Sequence, residues 1–228
     1  MKKFVILSII LCLSTISFSQ KKEIITVEAG HSLFEYITES ELYLYPEFTT
    51  GHAYMYTGVY SERKFNYNFL SGEMDFLQDS DTMAITNSKE IKYVVIAKDT
   101  FYYDNGYILQ IKNSVPKIGL KERIEFKEIQ KKDPYGVISP GSATTSRNAI
   151  STNDNYYKLK ANHDIIYERS RTYYISRYKS QYVPYSKKNV FKLFPKYKEK
   201  INAFVKSNKI KFYIEEDLIK LAEYIENL

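Results

Sequence analysis

KFNYNFLSGEMDF, residues 64–76, alternates through its first half and turns in its middle. Lys64, Asn66 and Asn68 interleave with Phe65, Tyr67 and Phe69, a period of two that puts three aromatic rings on one face of a β-strand. Ser71-Gly72 is a turn signal, and Met74 and Phe76 then alternate with Glu73 and Asp75, so the stretch predicts two strands folded back on each other. The same pattern extends outward over about 42–129. Ile91–Ile96 (IKYVVI) is a near-continuous apolar run, expected of a strand covered on both faces. Thr57-Gly58, Asp79-Ser80-Asp81, Asn87-Ser88, Lys98-Asp99 and Asp104-Asn105-Gly106 punctuate the runs. Asn105-Gly106 suits a tight hairpin, because both residues tolerate positive φ. Strands so closely spaced predict a small antiparallel sandwich or partly open barrel over 20–130.

Residues 131–155 break the period. Fourteen of these 25 residues are Ser, Thr, Asn, Gly or Pro, which reads as a flexible linker or insertion. Beyond it, Tyr156–Lys160, Asp164–Glu168 and Thr172–Tyr178 read as further strands. The pattern then becomes helical. Ser186 caps a short turn running to Phe194, and Pro195 suits the first position of a second helix. Phe194, Tyr197, Ile201, Phe204 and Val205 share its apolar face, and Ser207-Asn208 ends it. A last helix over about 215–227 opens on Glu215-Glu216-Asp217 and buries Leu218, Leu221, Ala222 and Ile225. The fold class expected is therefore α+β: a β-rich body, and over 156–228 strands followed by a C-terminal helical hairpin.

The first residues, MKKFVILSIILCLSTISFS, carry a basic start, an apolar Phe4–Leu13 and a small-x-small Ser17-Phe18-Ser19, the pattern of a signal peptide over 1–19 cleaved near Gln20. Cys12 lies inside the apolar run after Leu11, which does not fit a lipobox. Cleavage removes the only Cys, along with Lys2 and Lys3 of the 33 basic residues, leaving a formal +4. No later run is long and apolar enough to span a bilayer as a helix. One Cys and three His exclude a disulfide framework and any multi-cysteine metal site, and 44% hydrophobic residues exclude global disorder. No cofactor is expected.

With LYLYPEF at 42–48, KFNYNFLSGEMDF at 64–76, EIKYVVI at 90–96, DTFYYDNGY at 99–107, KKNVFKLFPKYKEKINAFVKSNKIKF at 187–212 and EEDLIKLAEYI at 215–225, the chain resembles uncharacterised exported proteins of Bacteroidetes-type Gram-negative bacteria. The resemblance implies an exported location and carries no activity with it.

Candidate sites are few. His31, His52 and His163 lack the spacing of metal ligands. Asp75, Asp79 and Asp81 open like a calcium loop, but no Gly or closing Glu follows where the loop needs them, so a turn is expected. Glu35, Glu39 and Glu41 have no partner that fixes an acid–base spacing. Ser142 and Thr144 lie in the loose stretch, where no scaffold holds a nucleophile. Asp81-Thr82-Met83 resembles the short Asp-Thr-apolar motif that is O-glycosylated in exported Bacteroidetes proteins, which makes Thr82 a modification candidate. Nine lysines between 187 and 211 face a single acid, Glu199. Of these, Lys192, Lys196 and Lys200 share i, i+4 spacing and form a basic stripe if the helix runs through Pro195. The 23 tyrosines include the pairs Tyr102-Tyr103, Tyr156-Tyr157 and Tyr173-Tyr174, which put one ring on each face of a strand.

These features predict a non-catalytic exported protein, periplasmic or peripherally attached to the envelope, that binds an envelope component or a protein partner. The basic helix, facing an anionic surface, and the exposed tyrosines are its expected contacts. Export argues against nucleic acid. The alternative is a hydrolase of glycans or peptides whose carboxylates are brought together by the fold.

Overall fold

The computed structural model describes residues 23–132, 138–140, 162–178 and 181–228. The expected leader, the Tyr156–Lys160 strand and most of 131–155 lie outside these residues. The fold is α+β, an open antiparallel sheet with helices at its C-terminal end.

The strands are β1 (Glu23–Val27), β2 (Thr49–Met55), β3 (Tyr60–Tyr67), β4 (Met74–Gln78), β5 (Asp81–Ala84), β6 (Ile91–Ile96), β7 (Asp99–Tyr103), β8 (Tyr107–Lys112), β9 (Lys117–Lys132), β10 (Ile138–Pro140), β11 (Asp164–Ser176) and β12 (Val183–Pro184). Their order across the sheet is β1-β11-β9-β8-β7-β6-β2-β3-β4-β5, with β10 pairing β9 and β12 pairing β11. The β7–β8 turn uses Asn105 and Gly106 at φ 50° and 106°, the positive values that Asn and Gly accept most readily. One turn helix, α1 (Glu39–Leu42), precedes the sheet's main body.

The sheet curls until the segment after β3 meets β9. Ile124 N donates to Phe69 O at 2.8 Å, Arg123 Nη2 to Ser71 O at 2.6 Å, and the Tyr67 hydroxyl to Glu122 O at 2.9 Å. Inside the curl lie Phe65, Tyr67, Phe69, Met74, Val94, Ile96, Phe101, Ile124 and Tyr167, all buried. Phe65, Tyr67 and Phe69 thus share the inward face, as their alternation predicts.

Two expectations about strands change. Asp164–Glu168 and Thr172–Tyr178 are parts of one long strand, β11, which pairs along its full length with β9. Arg169-Ser170-Arg171 looks like an interruption in sequence, yet Arg169 and Arg171 point to Glu122 on the neighbouring strand and need no turn. Among the described residues IKYVVI is fully covered on one face only: Ile91, Val94 and Ile96 are buried, while Tyr93 and Val95 are half-buried on the other.

Odd-numbered β11 residues and even-numbered β9 residues make one continuous face. At one end Ile165, Tyr167 and Ile124 join the core inside the curl. At the other end Tyr173, Ile175, Ile118 and Leu120 meet the helices. Glu122, Arg169 and Arg171 occupy the middle, where one core gives way to the other. Glu122 Oε1 accepts from Arg169 Nε at 2.7 Å and Oε2 from Arg171 Nε at 3.1 Å. Arg169 also stacks on the Phe69 ring at 4.0 Å.

The helices are α2 (Lys187–Leu193), α3 (Lys198–Ser207) and α4 (Glu215–Glu226). Ser186 caps α2, its Oγ accepting from Asn189 N at 3.3 Å. Asn208 and Lys209 end α3 in a Schellman turn: Ile210 N donates to Val205 O at 3.1 Å, with Lys209 at φ 52°. Asp217 accepts from Lys211 N at 2.9 Å and fixes the entry to α4. Val190, Ile201, Val205, Leu218, Leu221, Ala222 and Ile225 then pack on the sheet's helical end.

A strap, residues 43–48, crosses the strand ends. The Tyr43 hydroxyl donates to Asp75 Oδ2 at 3.0 Å, Asn68 Nδ2 to the same oxygen at 2.9 Å, and the Tyr45 hydroxyl to Asp99 Oδ2 at 2.7 Å. Burial raises the Asp75 carboxyl above its ordinary value, against the pull of the Asn68 and Tyr43 hydrogen bonds. A carboxyl raised in the folded state binds its proton more tightly there than in the unfolded chain. Its contribution to stability is complete below the unfolded value of about 4 and is lost as pH rises through the folded one. Relative to Asp75→Asn, whose amide oxygen still accepts both bonds, the parent chain should therefore lose stability as pH rises from about 4 toward neutrality. Thermal midpoints of both proteins across that range check this; a relative gain by the parent chain would refute it.

Candidate binding surface

On the outer face of the curl, directly opposed register positions carry the same residue type. Tyr60 on β3 opposes Tyr54 on β2, Tyr54 opposes Tyr93 on β6, and Tyr93 opposes Tyr102 on β7. Side chains at opposed positions of neighbouring strands stand about one strand spacing apart, roughly 5 Å, so four tyrosines form a transverse row. Ring centroids along it are separated by 5.8, 4.7 and 5.9 Å, with neighbouring planes inclined by 30–55°. His52 packs beside the row, 5.7 Å from Tyr60 and 6.2 Å from Tyr54, and its Nε2 lies 3.0 Å from Glu62 Oε2.

The row has one closed and one open end. At the closed end Tyr102 meets the buried ring of Tyr182 at 5.9 Å, and Tyr182 lies over Ile108 and Gly119. Gly119 is required there: a Cβ would come within 2.3 Å of Ile108 and 2.9 Å of the Tyr182 ring. At the open end the β2–β3 hairpin tip leaves Tyr56, Val59 and Tyr60 about 60% exposed. Lys92 Nζ lies 5.8 Å from the centre of the Tyr93 ring and Lys117 Nζ 5.8 Å from that of Tyr102. Neither lysine pairs with a carboxylate among the described residues.

The tyrosine hydroxyls differ in how they are held. Tyr43, Tyr45, Tyr67, Tyr173 and Tyr185 donate to a carboxylate or a backbone carbonyl. Burial, the leading cause, raises the pKa of Tyr43, Tyr45, Tyr67 and Tyr185 well above the ordinary phenol range. Tyr54, Tyr60, Tyr93 and Tyr102 donate to nothing among the described residues. Inside the curl the buried Tyr107 hydroxyl likewise has no partner among the described residues.

The basic stripe does not assemble as expected. Phe194 leaves the helix at φ −125° and ψ 57°, and Pro195 starts a separate 3-10 turn. Lys192 therefore sits on α2, Lys196 on the 3-10 turn and Lys200 on α3, so no single helix face carries all three. Each is exposed, and none of the nine lysines pairs with a carboxylate among the described residues. Lys187 and Lys198 converge instead on the Phe191 ring, at 5.6 and 5.8 Å. Thr82 lies exposed on the edge strand β5, its hydroxyl open to solvent.

The small cavity inside the curl, lined by Leu44, Tyr67, Phe69, Phe101, Leu120 and Glu122 among others, is about 20 Å³, room for one water. Glu122 is committed to two arginines and Asp75 to Tyr43 and Asn68. Glu35 and Glu41 close capping boxes with Ser32 and Thr38. No group of three or more His, Cys, Asp or Glu among the described residues could hold a metal ion, and no helix there is long and apolar enough to cross a membrane. No family model, curated protein or solved structure matches the chain.

Proposed function

We propose that the chain is a non-catalytic exported envelope protein, a binding or accessory module that holds an envelope component or a protein partner against the outer face of its sheet. One observation carries the reading: four tyrosines stand in register on the sheet's outer face with hydroxyls that donate to nothing among the described residues, whereas Tyr43, Tyr45, Tyr67, Tyr173 and Tyr185 are tied to carboxylates or carbonyls. Export rests on the leader-like first residues and on the resemblance to exported Bacteroidetes-type proteins. The unpaired lysines of α2 and α3 add a positive field that draws in anionic surfaces, whether or not they touch the ligand.

The test is co-sedimentation of the chain from Gln20 onward with its own envelope fraction. Tyr54→Ala with Tyr93→Ala is expected to weaken binding by about tenfold or more, since buried tyrosines commonly dominate an interface. Changing Lys192, Lys196 and Lys200 to Gln is expected to slow association and soften the salt dependence, leaving most of the affinity. Sedimentation of the tyrosine variant at parent level, or no sedimentation of the parent chain, would sink the proposal. Urea midpoints establish that each variant is folded.

A further inference from the structure

We infer that the ligand of the tyrosine row is a linear polysaccharide carrying carboxylates, lying across the strands with its sugar rings stepping from Tyr60 to Tyr102; this rests on the reading of the chain as a binding module.

The shape of the site selects a polymer. The row is straight because its members are directly opposed in register, and it lies on the sheet's outer face, away from the cavity inside the curl. Such a surface gives a single small molecule little enclosure, whereas an extended chain adds many weak contacts held at high effective concentration. The ring-to-ring steps of 4.7–5.9 Å are close to the length of one sugar ring, so successive sugars meet successive tyrosines.

Chemistry selects a sugar. A phenol offers an apolar body and a polar tip, the complement of a pyranose with its C–H face and hydroxyl rim. Four free hydroxyls in line suit a polyhydroxylated ligand that hydrogen-bonds at every step. A dry protein interface would strand them, at a desolvation cost for each. His52, Thr100 and Gln110 add polar groups on or beside the row's own strands.

Charge selects the acidic class. Lys92 and Lys117 sit over the rings of Tyr93 and Tyr102 without a carboxylate partner among the described residues. Glu62, on the row's own strand β3, is held by His52. Carboxylates on the polymer complete the two lysine sites, and a neutral glycan leaves them unsatisfied.

Affinity electrophoresis in gels containing alginate, polygalacturonate or neutral hydroxyethylcellulose tests the inference. The chain from Gln20 onward is expected to be retarded in at least one acidic polymer and to run freely in the neutral one. Tyr54→Phe with Tyr93→Phe, which keeps the rings and deletes two hydroxyls, should weaken retardation severalfold. Lys92→Gln with Lys117→Gln should weaken it by about fivefold per lysine. The Lys192, Lys196 and Lys200 to Gln variant should remain retarded, which separates the row from general attraction to a basic protein. Equal retardation in the neutral polymer overturns the acidic class, and loss confined to the helix-lysine variant overturns the site. Free migration in both acidic gels, with tyrosine-dependent envelope binding intact, overturns the ligand and leaves the module reading standing. If envelope binding is also absent, both fall.

Discussion

Glu122→Ala is expected to cost about 3 kcal/mol of folding stability, the low end of what removing one partner from a buried ion pair costs. The low end applies because Arg171 is half exposed and its charge is partly solvated, whereas Arg169 is only 20% exposed and stays in place against Phe69. The loss comes less from the missing attraction than from guanidinium groups left under-satisfied where two apolar cores meet, with only the longer 3.8 Å pair to Glu23 remaining for Arg169. Glu122→Leu combined with Arg169→Met and Arg171→Met, which removes all three charges of the cluster, should recover part of the loss. Urea unfolding of the three proteins decides the matter. A cost below about 1 kcal/mol for the single change would mean that water, not Glu122, satisfies the arginines.

Leu221→Ala should cost a similar amount, about 3 kcal/mol, by leaving a cavity between α4 and the sheet. Leu221 is fully buried beside Leu218, Ala222 and Ile225. The more informative result is the form of the transition. β9 and β11 supply walls to both cores, so loosening the helical core should lower the melting of helices and sheet together, in one transition. Helical signal lost well before the tyrosine environment of the curled sheet changes would show that the two cores unfold separately.

How much of this was legible before the structure follows from the range of each signal. Alternation is local, so Phe65, Tyr67 and Phe69 could be assigned to one face from six residues. Ser186, Pro195 and the Leu218–Ile225 stripe are equally local, and the helices fall where those residues put them. The broken basic stripe was local too: the residue before a proline disfavours helix, and Phe194 obeys that rule. The tyrosine row is different. Residues 54, 60, 93 and 102 have no common spacing, and only the pairing of β3, β2, β6 and β7 lines them up. Adjacent Tyr pairs were visible, but a strand's own period says nothing about which residue its neighbour presents. Glu122 with Arg169 and Arg171 was hidden for the same reason: the acid and its bases lie 47 and 49 positions apart and meet through the β9–β11 register.

β1 is the feature with the widest separation between partners. It pairs with β11, placing Glu23 opposite Arg169 and Val27 opposite Ile165. A ribosome or a translocation channel releases residue 23 long before residue 169, so the first strand of the sheet has no edge to join until nearly three quarters of the chain has emerged. Closing so long a loop is slow, because its entropy must be lost before any ladder bond forms. The chain is thus built to stay incompletely folded while it emerges and to finish by docking its beginning onto a late strand. For the exported protein proposed above, such delay would keep the chain threadable.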